Sequence, residues 1–296
     1  MSSAAAHAGF VDRRQVARRF SRAAQDYPAG DFFAREVDRR MQERLDYVRV
    51  TPRRILDLGC SRGGSFAALS ARYPQAELIG LDLSEAMLLA GQVRRPGWQR
   101  WLGLGQDGPS RIVADAAKLP LAARSTAVVW SNLLLHWLDD PIPALAEARR
   151  VLEVGGLLMF STLGPDTLRE LRTAFGDAQA HTQRFADMHD LGDMLVECGF
   201  ADPVMDMEVI TLTYDDFDAM LADLRAAGSS CAMRDRPRGL MGRARWAQVR
   251  AAYERLRVAG KLPATFEVIY GHAWKGEPKQ TADGRAIIRL DGLKRR

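Results

Sequence analysis

Cysteine is scarce in this chain: Cys60, Cys198 and Cys231 are the only three in 296 residues, widely spaced and without a C-x-x-C pair. An odd, scattered set excludes a disulfide framework and argues against a structural zinc site, so reduced thiols and no metal are expected. No apolar run reaches membrane-spanning length, which gives a soluble, cytoplasmic reading with no membrane partner. Internal repeats and low-complexity tracts are also missing. The amino end, Met1 to Gln25, is rich in Ala, Ser and Arg and superficially transit-like, but Asp12, Asp26 and the lack of an apolar core make it a ragged tail leading into a helix. With 47% hydrophobic residues the chain can bury one large core, or one core plus an appended cap.

The most informative run is Arg54-Ile55-Leu56-Asp57-Leu58-Gly59-Cys60-Ser61-Arg62-Gly63-Gly64, a short apolar strand ending in an acid and then a glycine-rich turn, with a helical pattern from Phe66. Gly59 and Gly63 permit positive φ and close approach of backbone to a ligand, and the helix start offers free N–H groups. A dinucleotide fingerprint would need glycine at 59, 61 and 64, but position 61 is Ser. Asp57 would repel a pyrophosphate yet suits a cationic ligand, and S-adenosyl-L-methionine, with an ammonium and a sulfonium, is such a ligand. Ala76 to Asp82 reads as the next strand, with Ser84 capping a helix from Glu85 to about Gln92. Asp82 at its end could hold a ribose diol, of NAD as well as of S-adenosylmethionine. Arg111 to Ala116 reads as a third strand whose Asp115 could accept from an adenine amino group, and Ala127 to Asn132 as a fourth. Asp57, Asp82 and Asp115 thus fall at the carboxyl ends of parallel strands, where open α/β sheets bind ligands.

These motifs, with Leu119-Pro120 and Val151-Leu152-Glu153-Val154-Gly155-Gly156-Leu157, resemble those of the class I S-adenosylmethionine-dependent methyltransferases. Ser131-Asn132-Leu133-Leu134-Leu135-His136-Trp137, the stretch from Phe160 to Leu171, Met188 to Asp193, Ile210 to Tyr214, and Phe266 to Lys275 resemble a narrower family, the malonyl-acyl-carrier-protein O-methyltransferases of biotin synthesis. The resemblance covers about Val16 to Lys275. It implies that Asp57, Gly59 and Gly63 hold the methionine part, with Cys60 and Ser61 in the same turn, Asp82 with Leu83 the ribose, and Asp115 with Ala116 the adenine, and that Asn132, at the tip of the fourth strand, also binds the cofactor. One departure stands out: the family's usual middle glycine is Ser61, small enough that binding is expected to survive.

The fold expected is α/β, a Rossmann-like class I methyltransferase sheet of seven strands, mostly parallel with the last strand antiparallel. Val11 to Val48 carries helical spacing, so residues 1–50 are expected to form N-terminal helices and 51–296 the methyltransferase domain. Arg94 to Ser110 reads as a long surface loop. Pro165 to Phe175 and Leu191 to Cys198 read as helices, Asp206 to Tyr214 as strand six and Thr265 to Trp274 as strand seven. Between these two strands, Asp215 to Gly228 and Gly242 to Ala259 form a helical cap over about 215–262. The tail after Gly276, with a short apolar run at Ala286 to Leu290, has no assigned place.

A malonyl carboxylate is ionised at neutral pH, so its methylation needs no general base, only positioning, which can supply about 7–11 kcal/mol. The expected clamp is Arg169, then Arg172, with the hydroxyls of Ser161 and Tyr27, because bidentate donors orient a carboxylate. His136 reads as a rim histidine packed beside Trp137 and not as a base. Net charge is +5, and Arg234, Arg236, Arg238, Arg243, Arg245, Arg250, Arg255 and Arg257 cluster on the cap. That face suits an acidic acyl carrier protein. It has only Trp246 and Tyr253 as interleaved aromatics, so no nucleic-acid partner is expected. Two rivals stay open. A related mitochondrial-type branch of the fold is linked to hydroxylating a complex I subunit, and a non-catalytic assembly protein could keep the same fold.

Overall fold

The computed structural model describes residues 10–92 and 108–277. Most of the expected loop at Arg94 to Ser110, and the tail with Ala286 to Leu290, lie outside the described residues. Seven strands form one sheet: β1 (Arg54–Leu58), β2 (Glu77–Asp82), β3 (Ser110–Val113), β4 (Thr126–Ser131), β5 (Leu152–Leu163), β6 (Ala201–Tyr214) and β7 (Leu262–Trp274), in the order β3-β2-β1-β4-β5-β7-β6. β3, β2, β1, β4 and β5 pair in parallel, and β7 enters antiparallel between β5 and β6. Strand order reverses between β1 and β4, which opens a crevice at the carboxyl ends of these strands.

Period-2 alternation builds the two faces. Ile55, Val128, Trp130, Leu157 and Met159 point to one side, where they meet Val37, Met41 and Leu45. Leu56, Leu58, Val129 and Leu158 point to the other, against Ala144, Leu145, Leu191 and Leu195. Both faces of the central strands are therefore apolar, the composition a parallel sheet covered by helices requires. On edge strand β6, exposed and partly buried residues alternate instead.

Ahead of the sheet stand α1 (Arg13–Ala23), the single turn α2 (Tyr27–Gly30) and α3 (Phe32–Arg44). α4 (Phe66–Arg72) and α5 (Glu85–Ala90) follow β1 and β2; α6 (Ile142–Val151), α7 (Arg169–Phe175) and α8 (Met188–Glu197) flank β5. α9 (Phe217–Ala226) and α10 (Arg243–Glu254) lie between β6 and β7.

β6 and β7 start earlier than the sequence reading places them, at Ala201 and Leu262, and the cap helices are shorter; two boundaries next to the site differ for a physical reason. The helix expected from Pro165 starts at Arg169, because Leu168 is left-handed (φ +55°) and the preceding residues are pinned to β7. The Leu168 N–H donates to Thr265 O at 2.6 Å, and the Asp166 N–H donates to the Glu267 carboxylate at 2.7 Å. β3 ends at Val113, so Asp115 sits in a turn bridged to Lys118.

Candidate functional site

At the strand tips the chain encloses a cavity of about 390 Å³, lined from β1, β2 and the residues just after β4, the three N-terminal helices, α9 and the loops after it. That volume lies within the range of about 300–1,000 Å³ usual for small-molecule sites. The N-terminal helices are therefore wall, not appendage. The amino-terminal segment and the cap close over the site together: the Asp12 N–H donates to Ala232 O at 2.8 Å and the Arg234 N–H to Phe10 O at 2.7 Å. Gly30 lies so near the end of α9 that a Cβ there would fall 2.5 Å from Ala227 N.

The floor is acidic. Asp57, 1% exposed at the end of β1, has a buried Oδ2 without a hydrogen-bond partner. Burial raises its carboxyl well above the usual carboxylate range; the charges of Asp38 and Asp82 push the same way and Arg111 opposes them. Asp38, from α3, accepts from Ser65 Oγ at 2.6 Å and from the Trp130 indole N–H at 3.0 Å. Burial raises Asp38 as well, against the pull of these donors. An orphaned acceptor on a buried acid is costly unless a ligand donor meets it.

Above the floor, the turn after β1 has left-handed backbone at Gly59 (φ +78°), Ser61 (φ +49°) and Gly63 (φ +86°). A Cβ on Gly63 would lie 2.4 Å from the Phe66 ring, so that glycine serves packing below the cavity while Gly59 and Ser61 line it. Cys60 is buried, and its Sγ would lie 2.7 Å from a Cβ on Gly80; burial pushes its thiol up, which makes it an inert neighbour of the turn. Arg111 on β3 donates to Arg62 O at 3.1 Å and Gly91 O at 2.8 Å, with its guanidinium 4.8 Å from the centre of the Phe66 ring. Sequence reasoning missed Arg111.

The remaining cofactor candidates line the cavity too, with their polar atoms already partly engaged. Asp82 accepts from Ser61 N at 2.9 Å and Ser84 N at 2.7 Å; burial raises its carboxyl and these N–H groups oppose the rise. Leu83 and Ala116 supply apolar wall. Asp115 accepts from Ala117 N at 3.0 Å and pairs with Arg13 at 2.6 Å, so an arginine of α1 stands where an adenine amino group was expected to donate. Asn132 spans the gap between sheet and α3: its Nδ2 donates to Ala34 O at 2.9 Å and its Oδ1 accepts from Ser161 Oγ at 2.7 Å.

Of the four residues expected to act on the methyl acceptor, only Tyr27 is on the wall. Burial pushes its phenol up to about 12, with a hydrogen bond to Ser61 pulling against it. Ser161 is fully buried, its hydroxyl held between Asn132 and the Leu133 N–H at 3.0 Å. Arg169 turns outward to Asp166 at 3.2 Å, and Arg172 donates to the carbonyls of Thr167 and Pro165. The early left-handed turn at Leu168 points both arginines away from the cavity.

Three other arginines line the cavity: Arg13, paired with Asp115; Arg35, 3.2 Å from Asp31; and Arg225 of α9, exposed and without a side-chain partner among the described residues. His136 is buried, its Nδ1 3.2 Å from Thr162 Oγ1 and its ring 5.1 Å from Trp137; burial pulls it down to about 3, so it is neutral at physiological pH. The rest of the acceptor side is apolar, with Phe20, Phe33, Phe175, Leu221 and Phe266 on the wall.

S-adenosylmethionine fits these residues. A buried acid floor with one unmet acceptor suits a cation, and the same floor would repel the pyrophosphate of a dinucleotide.

Comparison with known proteins agrees. A model of the methyltransferase domain family matches residues 56–160. A malonyl-[acyl-carrier protein] O-methyltransferase from Gallionella capsiferriformans is 50% identical, over 94% of this chain and 96% of the relative. One from Laribacter hongkongensis is 49% identical, over 94% and 96%. Among solved structures, the YcgJ protein from Bacillus subtilis superposes with a TM-score of 0.57 at 14% identity, covering 82% of this chain and 99% of that one. The [4+2]-cyclase SpnF gives 0.50 at 20%, covering 81% and 82%, so the backbone likeness carries the fold alone. Full-length identity at this level makes the chain a member of the malonyl-[acyl-carrier protein] O-methyltransferase family, within the class I S-adenosylmethionine-dependent methyltransferases.

Proposed function

We propose that this chain transfers a methyl group from S-adenosylmethionine to the free carboxylate of malonyl-acyl carrier protein, making the methyl ester of a biotin precursor. The observation that carries it is the orphaned Asp57 carboxylate oxygen in a buried acidic floor, in a chain half identical to proteins of that name. The mitochondrial-type hydroxylase and assembly readings are not favoured by those relatives.

When bound, the cofactor supplies an electrophilic methyl carbon on a sulfonium. Asp57 and Asp38 neutralise its charge, Asp82 and the turn at Gly59 to Ser61 hold the sugar, and Leu83 and Ala116 pack the base, with Asp115 within reach of its amino group once Arg13 yields. The substrate carboxylate needs no base, and neutral His136 offers it no competing charge. Tyr27 closes the wall beside the turn. Arg225 replaces Arg169 and Arg172 as the cation proposed to draw the carboxylate in, because among the described residues it lines the cavity uncommitted. The apolar wall excludes water, which strengthens every charge interaction inside.

Docking of the carrier protein rests on fewer arginines than the sequence count. Arg234, Arg236, Arg245, Arg250 and Arg257 are held by the chain's own carboxylates or carbonyls. Arg238, Arg243 and Arg255 are exposed without such partners among the described residues, and they are the proposed contacts for an acidic carrier. Three unpaired thiols agree with a reducing, cytoplasmic setting.

The test is methyl transfer from labelled cofactor to malonyl- and acetyl-carrier protein. Label in a base-labile ester on the malonyl form alone is expected; equal labelling of both would remove the carboxylate as the acceptor.

A further inference from the structure

The wall polar atoms left without a hydrogen bond have a telling chemistry. Among the described residues, the buried side-chain atoms on the cavity wall that lack a hydrogen bond are two acceptors, Asp57 Oδ2 and Asp31 Oδ1, and one donor, Gln183 Nε2; of the acceptors, Asp31 Oδ1 already has an ion-pair partner in Arg35 Nε at 3.2 Å. Gln183 lies between α7 and α8 and is 7% exposed. Its Oε1 accepts the Ala232 N–H at 3.0 Å. That bond fixes which way the amide points, since only the oxygen can face a backbone donor. The segment is zipped to the loop after α9 by a second contact as well, Cys231 Sγ lying 3.3 Å from both Ala180 O and Thr182 O. The fold thus uses the carbonyl half of Gln183 and leaves its NH₂ without a hydrogen bond, on a residue that lines the same cavity as the apolar Phe175 and Phe185.

We propose that Gln183 Nε2 is a substrate-binding donor that hydrogen-bonds the acceptor carboxylate through the oxygen that is not methylated. The assignment deepens the reading above and rests on it. A neutral donor suits this place: it orients the carboxylate without lowering the nucleophilicity of the attacking oxygen as a second full cation would. With Asp57 waiting for a cation and Gln183 for an acceptor, the unmet atoms of one cavity match a cationic methyl donor and an anionic methyl acceptor.

Gln183→Glu separates the two halves of the side chain. It keeps the acceptor for the Ala232 N–H, removes the NH₂ donor and sets a carboxylate against the substrate's own. The expected result is S-adenosylhomocysteine affinity within about twofold of the parent, kcat/KM for malonyl-carrier protein lower by ~10–100-fold, mostly in KM, and partial recovery as pH falls and the new carboxyl becomes an O–H donor. Parent-like kcat/KM would overturn the proposal.

A second measurement needs no variant: with selective ¹⁵N labelling of glutamine in the S-adenosylhomocysteine-bound protein, the Gln183 side-chain amide resonance should shift on saturation with a malonyl thioester and stay with an acetyl thioester. An unmoved resonance would overturn it equally. Failure of the underlying reading is distinct, because then the parent protein itself labels no malonyl-carrier protein.

Discussion

Asp82 Oδ2 accepts the Ser61 N–H at 2.9 Å, so the acid ending β2 holds down the glycine turn that ends β1. The residue it holds is left-handed at φ +49°, where an L side chain is strained. Ser61→Gly and Ser61→Ala both delete the hydrogen bond to Tyr27, but only glycine relieves the backbone. Chemical denaturation should find the glycine variant more stable than the alanine variant by about 1 kcal/mol, the reverse of the order in a helix. Alanine equal to or above glycine would mean that the turn is not strained.

Asp57→Asn should have opposite effects on stability and binding. Folding raises the Asp57 pKa, so its contribution to ligand-free stability is present below the ordinary carboxylate value and is lost as pH rises through the folded one. The ligand-free asparagine variant should therefore be the more stable at neutral pH, while affinity for S-adenosylmethionine falls by about 1.5–3 kcal/mol with the lost charge-assisted bond. Binding to the parent protein should also release protons, visible as a calorimetric heat that varies with buffer ionisation enthalpy.

How much of this was legible in the sequence depended on how far the deciding contacts lie apart. Asp57 and Asp82 could be read because strand, acid and turn are contiguous. Asp38 could have been found: Val37 and Met41 are buried on α3, with Leu45 buried at its C-cap, and an acid among such apolar residues signals a partner, yet the partner Trp130 is 92 residues away. Arg169 and Arg172 point outward because β7, about a hundred residues later, captures the residues ahead of them. No local pattern encodes that pairing. Asp115 was found as an acid of the site, but the Arg13 that engages it comes from a helix with no sequence mark of contact.

His136 titrates far below its ordinary value, to about 3, because it is buried. The unfolded chain binds its proton first, so the protein should lose about 2 kcal/mol of stability through this group between neutral pH and pH 5. His136→Gln should flatten that slope in urea melts from pH 7 to 5. Catalysis should show no inflection from this residue between pH 6 and 8; a bell limb that vanishes with His136→Gln would assign it a proton-transfer role.

Charge reversal of Arg238, Arg243 and Arg255 together should lower kcat/KM for malonyl-carrier protein severalfold at low salt, leaving malonyl-CoA nearly unaffected. Added salt should reproduce the loss in the parent protein. Equal effects on both substrates would move the carrier's docking face elsewhere.

The most direct measurement is a calorimetric titration of the purified chain with S-adenosylhomocysteine and, separately, with NADH. An acid floor around Asp57 and Asp38 predicts saturable one-to-one binding of the first and no heat from the second. Tight NADH binding with no heat from S-adenosylhomocysteine would contradict the account.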